Sequence, residues 1–131
     1  MTGKGVERRL AAILSADVVG YSRLMEADEE ATIRALSTCH QNVDELVTSH
    51  HGRVFGSAGD SVIAEFASAV DAVRCAADIQ QHQEAHDADL PEDRRMRLRI
   101  GINLGDIVVA EHHGRIVKLM GDGALFRYSL S

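Results

Sequence analysis

From Arg95 to Leu104 apolar and polar residues alternate without a break. Met96, Leu98, Ile100, Ile102 and Leu104 interleave with Arg95, Arg97, Arg99, Gly101 and Asn103. Successive side chains of a strand point to opposite faces, so a period of two predicts a strand with one buried face. Gly105-Asp106 follows as a predicted hairpin turn before the apolar residues 107–109.

The rest of the chain supplies partners for that strand. Residues 10–14 are a short apolar run, read as a buried strand that ends at Ser15-Ala16-Asp17, with Gly20 permitting a sharp turn. Asp28 suits a helix N-cap, and Glu29 and Glu30 suit its first turn. Ile33, Leu36, Val43, Leu46 and Val47 then recur at helical spacing, and the helix should stop near His50 because Gly52 follows. Residues 53–55 and 62–66 read as a hairpin around Gly56-Ser-Ala-Gly-Asp60-Ser61. Ser68 with Asp71 opens a second amphipathic helix, carried by Val70, Val73 and Ala77 to about residue 85. Residues 86–94 are polar, hold the one proline and read as a loop. The order strand, helix, strand, strand, helix, strand, strand predicts an α+β fold: a ferredoxin-like antiparallel sheet with helices packed on one face.

A chain of 131 residues makes one domain with a real core. We divide it into a polar N-terminal segment, 1–9, a main domain, 10–110, and a tail, 111–131. The formal net charge of −6 disfavours a nucleic-acid partner. An anionic nucleotide would need metal ions or backbone dipoles to offset that charge. No apolar run approaches the ~20 residues of a membrane span, and residues 1–9 lack the apolar stretch of a signal peptide. Cys39 and Cys75 fall in helical patterns without metal-type spacing and read as reduced, buried thiols of a cytoplasmic protein.

Two carboxylates stand at glycine-rich turns: Asp17 closes the first strand and Asp60 sits in the hairpin tip. Each taken singly also reads as ordinary turn or cap chemistry. The ferredoxin-like topology sets the first strand beside the hairpin and brings both to one edge of the sheet. Hard divalent ions take one or two protein carboxylates plus phosphates and waters, and two such ions can clamp a phosphoryl transfer. The backbone amides of Val19, Gly20, Tyr21 and Ser22, directly after Asp17, could point at a phosphate.

Residues 8–24, RRLAAILSADVVGYSRL, resemble the opening of bacterial class III adenylate/guanylate cyclase catalytic domains. Residues 52–66, GRVFGSAGDSVIAEF, resemble their metal-binding hairpin, and residues 71–80 and 97–106 resemble the helix and strand that follow. The similarity runs in the family's order from about residue 8 to about residue 106. It implies that Asp17 and Asp60 are catalytic, bridging two Mg²⁺ or Mn²⁺ ions, with the Val18 carbonyl as a further metal oxygen. It implies that the amides from Val19 to Ser22 hold the phosphates of ATP, with GTP the lesser candidate. The implied reaction is attack of the ribose 3′-hydroxyl on the α-phosphorus with pyrophosphate leaving, in a head-to-tail homodimer or a heterodimer with another cyclase domain.

Three departures qualify that reading. The purine-selecting lysine of the family stands four residues before the second metal aspartate, where this chain has Gly56. Neither an Asp-Ile-Tyr-Gly-like stretch nor an Asn-x-x-x-Arg helix follows. Residues 109–122 instead repeat residues 47–60 at a constant offset, with His-His-Gly-Arg and Gly-Asp identical and Lys118 four residues before Asp122. We therefore expect a truncated or recombined nucleotide cyclase domain, inactive alone. The alternative is a non-catalytic nucleotide- or partner-binding domain derived from a cyclase. The pairs His50-His51 and His112-His113 diverge too much to chelate one ion and read as helix-ending or solvated.

Overall fold

The computed structural model describes the backbone of residues 6–112, 115–120 and 128–130, and the side chains of residues 9–107. The first strand, β1 (Val6–Val18), is longer than its apolar run because its polar residues lie between two neighbours. It pairs antiparallel with β3 (Ser61–Phe66) on one side and β4 (Leu98–His112) on the other. The hairpin partner β2 (Gly52–Ala58) lies outside β3, and the four strands run in the order β2-β3-β1-β4. This is the expected ferredoxin-like sheet. Its order continues through β5 (Arg115–Met120) and β6 (Tyr128–Leu130).

Among the described residues three α-helices complete the fold: α1 (Tyr21–Ala27), α2 (Glu29–Ser49) and α3 (Ala69–Asp87). Sequence periodicity does not reveal α1, which has only seven residues. Both predicted N-caps form. The Asp28 carboxylate accepts from the Ala31 amide at 3.1 Å, and the Ser68 hydroxyl from the Asp71 amide at 3.2 Å. At the end of α2 the left-handed residue is His51, φ 66°, rather than Gly52. Gly52 is needed for packing: a Cβ there would run into the ring of Phe66, itself buried.

The main core lies between the helices and one face of the sheet. β1 contributes Ala12, Leu14, Ala16 and Val18, and β3 contributes Val62, Ala64 and Phe66. Facing them are Cys39, Val43 and Val47 from α2 and Ala72, Cys75 and Ile79 from α3. Burial pushes both thiols up to about 11, so they stay protonated at neutral pH; Asp87 adds to the effect at Cys39 and Asp78 at Cys75. A second cluster, Ala11, Ile13, Phe55, Ile63 and Ile107, is buried on the helix-free face.

Four expectations need correction. Val70, Val73 and Ala77 do not carry the inner face of α3; they are exposed, and Ala72, Cys75 and Ile79 are buried instead. The helical spacing of the valines is real, but it matches that of Ala72, Cys75 and Ile79, and the packing of α3 on the sheet puts the latter stripe inside. Ile33 likewise lies outside, half exposed on α2. No hairpin turn forms at Gly105-Asp106, because β4 continues through them, paired with Ala11 and Leu10 of β1. The period of two holds through Ile102, but Leu104 is 63% exposed.

The histidine pair at the end of α2 separates as its backbone demands. His50 caps the helix and meets Asp78 of α3 at 2.7 Å, while His51 stands outward, 3.6 Å from Asp71. His113 of the second pair lies outside the described residues. In the tail, Lys118 lies within β5, opposite Val109 and Tyr128, rather than at a turn. Asp122 and residues 124–127 lie outside the described residues.

Candidate active site

β1 ends at Val18 and its neighbour β3 begins at Ser61, so the β2–β3 turn stands at the same end of the sheet as Asp17. The pairing of Ala16 with Val62 sets Asp60 across from Val18. Gly59, φ 58°, supplies the left-handed turn residue just before it. The Asp60 carboxylate then folds back onto β1 and accepts the Val18 amide through Oδ2 at 2.8 Å. Asp17, one residue earlier on the strand, points to the helix-free face, since Ala16 and Val18 on either side of it belong to the main core.

Arg99 of β4 completes the group. It is the register partner of Asp17, and its Nε and Nη2 each donate to one carboxylate oxygen at 3.1 Å. The Asp17 carboxylate raises the Arg99 guanidinium above its already high range, with a smaller contribution from Asp60. Both acidic groups therefore act on one cation. Sequence reading missed Arg99. It is the last of three arginines spaced by two, Arg95, Arg97 and Arg99, and only the strand register shows that it, the one within β4, meets Asp17.

The two carboxylates and the neighbouring backbone form an all-oxygen donor set that fits a hard cation such as Mg²⁺ or Mn²⁺. Among the described residues no cluster of three or more His, Cys, Asp or Glu side chains is placed to hold a metal. A cation at Asp17 and Asp60 would thus take much of its shell from water or a ligand. It would also have to displace Arg99 from Asp17. That exchange is accessible, because the two side chains are 73% and 34% exposed and exposed ion pairs are weak in water.

The expected phosphate segment is narrower than the sequence suggested. The Val19 amide is already used, donating to the Arg97 carbonyl at 2.9 Å, so it has no proton to offer a phosphate. Gly20, φ 68°, turns the chain into α1 without a side-chain cap. The first-turn amides after it, including those of Tyr21 and Ser22, have no acceptor within the helix. Gly56 is buried at the β-bulge of β2, opposite Ile63, and offers no side chain to a base.

A cavity of about 600 Å³ opens beside Val19, between the end of α3 and the start of β4, and neither Asp17 nor Asp60 lines it. Its buried charge, Asp87, is already committed to the Met96 amide at 2.7 Å and the Gln83 side chain at 3.1 Å. That carboxylate anchors β4 to α3. No helix among the described residues is long and apolar enough to cross a membrane.

Known proteins resemble this chain in sequence and in fold. The sequence model for the adenylate and guanylate cyclase catalytic domain matches residues 7–120. A Rhizobium meliloti protein provisionally named adenylate cyclase 3 is 53% identical over 124 residues, 94% of this chain and 20% of that protein. The crystal structure of an adenylate/guanylate cyclase/hydrolase from Silicibacter pomeroyi superposes with a TM-score of 0.74 at 40% identity, over 86% of this chain and 64% of that one. The adenylyl cyclase CyaB of P. aeruginosa shares the fold, with a TM-score of 0.73 at 18% identity over 91% of this chain and 68% of its own. The chain thus spans a fifth of its Rhizobium relative and under two thirds of the Silicibacter structure. By the sequence-model match over most of its length and by its ferredoxin-like sheet, the chain belongs to the adenylate and guanylate cyclase catalytic domain family.

Proposed function

We propose that this domain binds a metal–nucleoside triphosphate complex at Asp17 and Asp60 and belongs to an enzyme that converts ATP to cyclic AMP and pyrophosphate in the cytoplasm. The observation that carries this reading is that Asp17, near the end of β1 and bonded to Arg99, and Asp60, in the β2–β3 turn and bonded to the Val18 amide, stand at one end of the sheet. Bound divalent ions supply charge neutralisation for the triphosphate and favour the 3′-alkoxide. The chain's own residues place the reactants. Asp17 and Asp60 hold the cations, the Val18 carbonyl lies between them in sequence, and the amides of Gly20, Tyr21 and Ser22 face the phosphates. Arg99, released from Asp17 when a cation takes its place, presents a guanidinium fork to phosphate oxygens. The new bond joins the 3′-oxygen to the α-phosphorus, the α–β bridging bond breaks, and the hydroxyl proton leaves to solvent.

The name of the Rhizobium relative supports ATP over GTP, and a neighbouring structure named as a dimeric guanylyl cyclase domain supports a second domain opposite this one. One observation favours the rival reading of a non-catalytic binding domain: Gly56 occupies the place of the base-reading lysine, and these 131 residues contain no Asn-x-x-x-Arg. Titration calorimetry with Mn²⁺ and ATP tests the metal site. Asp60→Asn should weaken metal-dependent nucleotide binding by at least tenfold while the melting temperature changes little; equal affinities would refute the proposal.

A further inference from the structure

His40 lies on α2, twenty residues before Asp60, and sequence patterning gives it no task. It is half-buried, one position after the core residue Cys39, so it points along the edge of the helix toward the hairpin tip. There its Nε2 stands 3.3 Å from the backbone carbonyl of Asp60. A carbonyl only accepts, so Nε2 carries the proton.

The Asp60 residue is therefore held at two points. Its carboxylate is tied to the Val18 amide of β1, and its own carbonyl is tied to α2 through His40. Asp60 itself lies in the two-residue turn between the paired residues Ala58 and Ser61, outside the strand ladder. We propose that His40 is a positioning residue for the metal site. It fixes the peptide of Asp60 against α2, so that the free carboxylate oxygen faces Asp17 before any cation arrives. Partners of this kind, one bond removed from a ligand, typically change metal affinity by 10–100-fold.

This inference rests on the reading of Asp60 as a metal ligand, so the test measures the two separately. Binding of ATP to the full chain is titrated with and without Mn²⁺ for wild type, His40→Leu, His40→Gln and Asp60→Asn. His40→Leu fills the space without a donor, and it should lose about tenfold of the Mn²⁺-dependent gain in affinity while metal-free binding is unchanged. His40→Gln retains an N–H donor and should recover most of that loss. Hydrogen exchange at Gly59, Asp60 and Ser61 should quicken in His40→Leu and not in His40→Gln. A wild-type Mn²⁺-dependent gain in His40→Leu, with Asp60→Asn impaired, overturns the positioning role and leaves the metal site standing. Unimpaired Asp60→Asn overturns both. Equal losses in the Leu and Gln variants would show that His40 acts through packing, and would also overturn the proposal.

Discussion

At the scale of single residues, several positions that look like turn chemistry turn out to be packing or pairing. Gly52 reads as a helix stop, yet His51 takes the left-handed conformation and Gly52 exists to let Phe66 lie against the strand. Gly52→Ala should therefore destabilise the domain by about 1–3 kcal/mol, the usual range for forcing an extra methyl group into a packed site. Urea unfolding would measure it, and an unchanged midpoint would show that the Phe66 ring moves aside at no cost. Asp17 and Asp60 were legible as candidates because each stands at a glycine-rich strand end. Arg99 and His40 were not. An exposed arginine on an alternating strand and a histidine on a helix gain meaning only from what lies across from them, 82 and 20 residues away in sequence.

At the scale of elements, the strands and both long helices follow from periodicity and caps, whereas their outer limits do not. β1 begins at Val6 and β4 runs to His112, because strands flanked on both sides keep pairing through polar residues and past Gly105. Which stripe of α3 faces inward was misread, since Val70 and Val73 recur at helical spacing just as Cys75 and Ile79 do. Periodicity alone does not choose between the two stripes; the docking of α3 on the sheet does. The tail behaves as a sheet extension. β5 pairs along β4 from Ile107 to His112, and β6 pairs with β5 and lies near β2, so the sheet curls over its helix-free face. An isolated hairpin is marginal in water, so protection here depends on that docking. Amides of residues 116–120 should exchange more slowly than random coil in hydrogen-exchange mass spectrometry. Random-coil rates would mean that the repeated segment has no folded role.

At the scale of the whole molecule, the proposed metal carboxylates and phosphate-facing amides stand without an Asn-x-x-x-Arg motif in these 131 residues, the motif that the family resemblance makes the source of transition-state donors. Each such donor is worth roughly 10²–10³ in rate in comparable sites. A polypeptide of this sequence alone should thus be a very poor cyclase, and mixing with an intact cyclase domain should raise product formation in an assay with Mn²⁺ and ATP. Brisk turnover by the lone chain, abolished by Asp17→Ala, would refute this. By itself the sequence determined the α+β class, the ferredoxin-like antiparallel sheet and the two aspartates as candidates at glycine-rich turns. Those rest on local periodicity, capping and a pairing topology with few alternatives. The tertiary structure alone decided that Arg99 holds Asp17, that the Val19 amide is already bonded and that His40 steadies Asp60. Such facts depend on register and on the distance between elements, which are set by the packed core as a whole and not by any stretch of chain.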